Sequence, residues 1–135
     1  MGLFESFQIS GSALAAERVR MDLIAANLAN ANNTARPGDE IFQRKLALFQ
    51  SVPVDGSRDI SGVKVSAIVS DKTPPKLVYD PSHPHANDEG MVAYANVNPI
   101  LEMVDLIAAS RAYQANLATL ETSKEIMLRA LQIST

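Results

Sequence analysis

The sequence predicts a mainly α chain with a small β part. Long N- and C-terminal helices are expected to pair as a coiled-coil-like hairpin, with a short β-rich middle between them. Three observations carry this reading. All seven prolines lie between Pro37 and Pro99. Proline removes a backbone donor and clashes with the preceding turn, so the proline-free ends are permissive for helix. Residues 3–33 and 100–135 also hold a single glycine, Gly11, and both stretches repeat apolar residues every seven positions. The chain therefore divides into 1–33 (N-terminal helix), 34–98 (β- and turn-rich middle) and 99–135 (C-terminal helix).

In the first segment Phe7, Leu14, Met21 and Leu28 form one heptad column, and Ile24 and Ala31 a partial second one that Ser10 and Glu17 interrupt. A helix of about 28 residues, roughly 42 Å long, follows. The run from Asn27 to Thr34 should end it, since asparagine tolerates the left-handed geometry of a helix C-cap. A cap explains two of the four asparagines there, but not all four.

The last helix has a clear start. Asn98 is placed to cap it, and Pro99 suits a first helical position where no backbone donor is needed. Glu102 puts negative charge in the first turn, which the helix dipole favours. One column runs Met103, Ser110, Leu117, Lys124, Leu131, and the other Leu106, Tyr113, Leu120, Met127. Ala108, Ala109, Ala112, Ala115 and Ala118 make a smooth neighbouring face that lets another helix approach.

In the middle, Val63, Val65, Ala67 and Val69 alternate with polar residues except at Ile68, the period of a half-buried strand. Glu40–Val52 and Lys76–Tyr79 are weaker strand candidates. Asp55-Gly56, Pro74-Pro75 and Asp80-Pro81-Ser82-His83-Pro84 are turn chemistry.

Composition excludes several functions. The chain has 135 residues, with 12 basic against 15 acidic side chains and a net charge of −3. No block of like charge points to nucleic acid or an anionic membrane. Absent tryptophan and only 5% aromatic residues argue against stacking platforms, and absent cysteine removes disulfides, thiolate metal sites and thiol nucleophiles. No apolar run approaches the roughly 20 residues of a membrane span, so direct membrane insertion is not expected. The start Met1-Gly2-Leu3-Phe4-Glu5 lacks the pattern of a cleaved signal peptide.

The nearest thing to a reactive site is the stretch from Asp80 to Asp88, where His83 and His85 are flanked by aspartates. A metal-dependent enzyme using these two histidines is one alternative reading. A proline-stiffened polar turn explains them better, because two ligands separated only by a proline are an uncommon metal spacing. No motif for catalysis or cofactor binding stands elsewhere, so neither enzyme activity nor a cofactor is expected. Another alternative is a soluble coiled-coil adaptor or chaperone. Apolar columns on helices this long, with so short a middle to cover them, favour contacts between subunits. The candidate assembly interface is Phe7, Leu14, Met21, Ile24, Leu28, Met103, Leu106, Tyr113, Leu117, Leu120, Met127 and Leu131.

Two stretches then point to a family. Residues 12–32, SALAAERVRMDLIAANLANAN, and 102–116, EMVDLIAASRAYQAN, resemble the terminal signatures of the rod and hook proteins of the bacterial flagellum. The short length, Val78-Tyr79-Asp80-Pro81-Ser82-His83-Pro84 and Asn96-Val97-Asn98 make the chain similar to the small proximal-rod type of basal-body rod protein. The resemblance implies a structural subunit that leaves the cell unfolded and uncleaved through the flagellar type III export apparatus. It further implies assembly with copies of itself and other rod proteins into the torque-transmitting rod of the periplasmic cell envelope.

Overall fold

The computed structural model describes residues 2–54, 56 and 58–135. Among them two helices enclose five strands. They are α1 (Leu3–Ala29), β1 (Thr34–Ala35), β2 (Lys45–Pro53), β3 (Ser61–Ser70), β4 (Lys76–Tyr79), β5 (Met91–Tyr94) and α2 (Pro99–Ile133). The chain is thus mainly α with a small antiparallel β part, and its helices stand at the two ends.

Helix α1 starts where the Glu5 carboxylate accepts the Gly2 backbone N–H at 2.7 Å, so an acidic side chain satisfies a donor ahead of the first turn. Its end differs from the sequence expectation. Asn30 sits at φ −105°, outside the left-handed region. Backbone bonds close the helix end instead, and the asparagine side chains add to them: Asn30 Nδ2 joins its own N–H on the Ala26 carbonyl at 2.8 Å, and Asn33 Nδ2 donates to Asn30 Oδ1 at 2.8 Å. Orphan carbonyls at a helix end need partners, and here the Asn30 N–H reaches the Asn27 carbonyl and the Ala31 N–H the Leu28 carbonyl, both at 3.2 Å.

Strands β2 and β3 form a hairpin whose register slips between Leu48 and Phe49. Leu48 pairs with Ala67 and Phe49 with Val65, leaving Ser66 as the extra residue. The Ser66 hydroxyl donates to the Leu48 carbonyl at 3.2 Å, so the bulge satisfies part of the ladder it interrupts. Asp55 of the expected Asp55-Gly56 turn lies outside the described residues. Strand β2 begins at Lys45 and not at Glu40, because Ile41 and Phe42 fold over a small core of Ala31, Ala95 and Val97.

The second sheet is antiparallel in the order β1-β5-β4. Strands β1 and β5 lie in stretches that carry no alternating pattern. Val92 and Ala93 of β5 are buried, as expected of a central strand covered on both faces. Gly90 leads into β5 at φ 77°, and a Cβ there would stand 2.8 Å from the Tyr79 ring and 3.1 Å from Pro81. Only glycine meets both demands.

Helix α2 opens as its sequence suggests. Asn98 Oδ1 accepts the backbone N–H of Ile100 at 3.0 Å, with Pro99 in the first helical position. Helix α1 packs against α2 on one side and against the β2–β3 hairpin on another. The helices run antiparallel: Ser6 meets Ser123 near one end, and Asn27 meets Glu102 at the other. The same number of residues separates these contacts on each helix, so one register holds along about 30 Å. No described helix is long and apolar enough to cross a membrane.

Candidate assembly interface

The side of α2 turned toward α1 is lined by small and polar side chains. Glu102, Ala109 and Ser123 are buried and Asn116 is half-buried, all at heptad spacing. That column lies one residue ahead of the Met103 column and contains no large apolar residue, so a search for apolar periodicity passes over it. The recoverable signal was the heptad spacing of Glu102, Ala109, Asn116 and Ser123. Small side chains let the helix axes approach, and the larger ones are displaced to the flanks or outward.

Of the residues singled out from sequence, Ile24 is buried. Phe7, Leu14, Met21 and Leu28 on α1 are half-buried, as are Leu106, Tyr113, Leu120 and Met127 on α2. Met103, Leu117 and Leu131 are exposed. The column from Leu106 to Met127 therefore flanks the packed side of α2, while Met103, Leu117 and Leu131 face solvent.

Met103 does not stand alone there. Ile100, Met103, Val104 and Ile107 fall at the helical spacing that makes one stripe, and Val104 and Ile107 are 57% and 55% exposed. At the other end of α2, Ile126, Leu128, Leu131 and Ile133 are exposed, and Ile133 reaches 87%. Residues past Ile126 extend beyond the start of α1 in the observed register. Isolated exposed apolar side chains are ordinary, whereas grouped ones mark surfaces that meet other proteins.

Behind the stripe, on the covered side of the same turns, lies a polar cluster. Glu102 is 1% exposed and Asn27 fully buried. Asn27 Nδ2 donates to Glu102 Oε2 at 3.3 Å and to the Lys45 carbonyl at 3.0 Å, while its Oδ1 accepts the Lys45 N–H at 2.9 Å. The Asn27 amide thus bonds Lys45 much as a neighbouring strand would. Arg44 Nε donates to Glu102 Oε1, and its terminal nitrogen approaches Asp105 Oδ2 at 3.4 Å. A buried carboxylate without partners would be strongly destabilising. Here both Glu102 oxygens are held, one from α1 and one from the residue preceding β2.

The histidine loop is organised differently. The His83 and His85 rings lie 5.4 Å apart between centroids. His85 N–H donates to His83 Nδ1 at 3.0 Å, and His85 Nδ1 meets the Thr34 hydroxyl at 2.8 Å. These bonds tie the loop to itself and to β1. Among the described residues, no three His, Cys, Asp or Glu side chains converge as metal ligands.

The terminal helices pair with each other, α1 also packs on the β2–β3 hairpin, and α2 leaves an apolar stripe exposed, features that suit a structural subunit. Sequence comparison supplies the rest. Residues 7–37 match the family described as "Flagella basal body rod protein", and residues 88–133 match "Flagellar basal body rod FlgEFG protein C-terminal". The chain is 43% identical over 136 residues to the flagellar basal-body rod protein FlgC of Buchnera aphidicola, covering 99% of each chain. It is 41% identical to FlgC of Salmonella typhimurium, over 98% of both chains, and 40% identical to FlgC of Bacillus subtilis, over 98% of this chain and 99% of the relative. The chain belongs to the FlgC family of flagellar basal-body rod proteins. It is a structural subunit of the basal body and not an enzyme.

Proposed function

We propose that this subunit polymerises through its terminal helices, with 1–33 and 99–135 forming the assembly core and 34–98 an insert carried on it. The observation that carries the reading is the exposed stripe of Ile100, Met103, Val104 and Ile107 on α2. In this reading that stripe and the exposed Leu117 and Leu131 meet neighbouring rod subunits, copies of this chain among them. The half-buried Phe7, Leu14, Met21, Leu28, Leu106, Tyr113, Leu120 and Met127, with buried Ile24, close the helix pair as a coiled-coil-like hairpin. The assembled rod crosses the periplasmic space and carries torque from motor to hook. The subunit reaches it uncleaved through the flagellar type III export apparatus, and it does not insert into membrane.

Helices with unburied apolar stripes gain most of their stability from packing. The purified free chain should therefore show less helix by circular dichroism than α1 and α2 together would give, and proteolysis should clip the ends first. Helix content should rise with concentration or with a partner rod protein. A fully helical, protease-resistant monomer of fixed size would favour a soluble adaptor instead.

A further inference from the structure

We propose that Asn27, Arg44 and Glu102 form an interlock that makes closure of the helix pair at this end conditional on seating of the β2–β3 hairpin. The three residues come from three separate elements: the last turns of α1, the residue before β2, and the first turn of α2. Each oxygen of the buried Glu102 carboxylate has its own donor, Asn27 Nδ2 on Oε2 and Arg44 Nε on Oε1. The hairpin base is anchored in turn through both backbone groups of Lys45 on the Asn27 amide.

No two of these elements can take up this arrangement without the third. If α1 and α2 pair while the hairpin is away, Glu102 is buried without its cation, and Asn27 keeps an unmatched donor and acceptor. If the hairpin seats on α1 while α2 is away, Arg44 and Asn27 exchange their bonds to Glu102 for water and the charge-assisted contacts are lost. Unmatched buried polar groups are penalised far more than matched ones are rewarded. The half-closed states are therefore disfavoured, and the end opens or closes as a unit.

The interlock also accounts for the Asn27 side chain, which takes no part in closing the helix end, where backbone N–H groups and the Asn30 and Asn33 side chains make the bonds. It has a consequence for assembly, which rests on the polymerisation reading above. Ile100, Met103 and Val104 share the first turns of α2 with Glu102, so the stripe is presented in order only once the middle segment has folded and seated.

Amide hydrogen exchange on the full chain tests the interlock without reference to motility. In Asn27→Ala and in Arg44→Ala, protection should fall together at 27–29, 45–47 and 100–106, by about tenfold or more, as expected for lost hydrogen bonds to a charged group. The β1-β5-β4 sheet should be spared. The double variant should lose little more than the worse single one, because either removal already opens the same unit. Protection lost only around the substituted residue, or losses that multiply in the double variant, would overturn the proposal. Should the variants not fold, the unsubstituted chain in low denaturant decides. One common opening for the three amide sets supports the interlock, and three separate openings reject it. Motility of the same variants, scored separately, bears on the assembly reading and leaves the interlock untouched.

Discussion

The hydroxyl oxygens of Ser6 and Ser123 lie 3.4 Å apart although 117 positions separate them in sequence. At the far end of the same helix pair, Asn27 and Glu102 meet in the same register. Polar contacts thus mark both ends of the α1–α2 pairing. Because such groups are penalised when displaced, they define register more sharply than interchangeable methyl groups do. The stripe of Ile100, Met103, Val104 and Ile107 is left to face outward, and the first prediction depends on that division.

Charge on the outward stripe should separate folding from assembly. Val104→Asp and Ile107→Asp alter exposed positions, so the free chain should change in stability by no more than about 0.5 kcal/mol. An interface that must lose its water would be penalised by several kcal/mol by the same charge. Cells carrying either variant should make the protein yet be non-motile, with rods halted at its point of incorporation. Leu120→Asp, at a half-buried position, should weaken the free chain as well. Normal motility together with complete basal bodies in electron micrographs would reject the stripe.

The start of β3 should not tolerate a side chain at position 62. A Cβ there would stand 2.7 Å from the Ser12 hydroxyl oxygen. That hydroxyl donates to the Ile9 carbonyl at 2.8 Å and accepts the Val63 N–H at 3.1 Å, so rotating it away breaks both bonds. Gly62→Ala should cost about 1–3 kcal/mol in denaturant unfolding. Adding Ser12→Ala should recover part of that loss, because the remaining neighbours lie at 3.5 and 3.7 Å. A double variant less stable than Gly62→Ala alone would contradict the close approach.

Asn98→Ala should remove the cap of α2 and lower stability by about 1 kcal/mol. Asn98→Asp should retain most of it, since the carboxylate still accepts the Ile100 N–H and suits the positive end of the helix dipole. Thermal unfolding of the three proteins would rank them.

Acid should weaken the base of the hairpin through Asp71. Its carboxyl titrates below the ordinary 3.8, chiefly because the Thr73 hydroxyl and then the Thr73 N–H donate to it, with a smaller pull from Arg44. A depressed carboxyl stabilises the fold above its unfolded value and loses that contribution as the pH falls through its folded value. Stability from this group should hold from neutral pH to about pH 4 and decline below it. In Asp71→Asn the acid-side decline should be shallower than in the parent, as read by unfolding at a series of pH values.

His83→Asn with His85→Asn should leave motility largely intact. Asparagine keeps a polar group suited to the turn and removes any imidazole ligand. Complete loss of motility that added zinc or nickel restores would revive a metal role.

Much of this molecule was legible in one dimension. Prolines confined to the middle, a near-absence of glycine at the ends and the Asn98-Pro99 start are local signals. They act through backbone geometry within a few residues, so helices at both ends and the onset of α2 could be read directly. Strand β3 was legible for a related reason, since alternation along one strand is a local pattern. The family was legible because its signature stretches, 12–32 and 102–116, lie on those same helices.

What the sequence could not reveal is decided by atoms distant in the chain. Strands β1 and β5 owe their existence to pairing with each other and with β4, and β1 is too short to announce itself. The packed column of α2 was hidden because its residues are small or polar, and burial becomes favourable for Glu102 only once Asn27 and Arg44 arrive from elsewhere. Asn27 looked like one cap among four asparagines. Its fit to the Lys45 backbone exists only after the hairpin has folded against α1, because a hydrogen bond needs both partners within about 3 Å and local sequence controls only one of them.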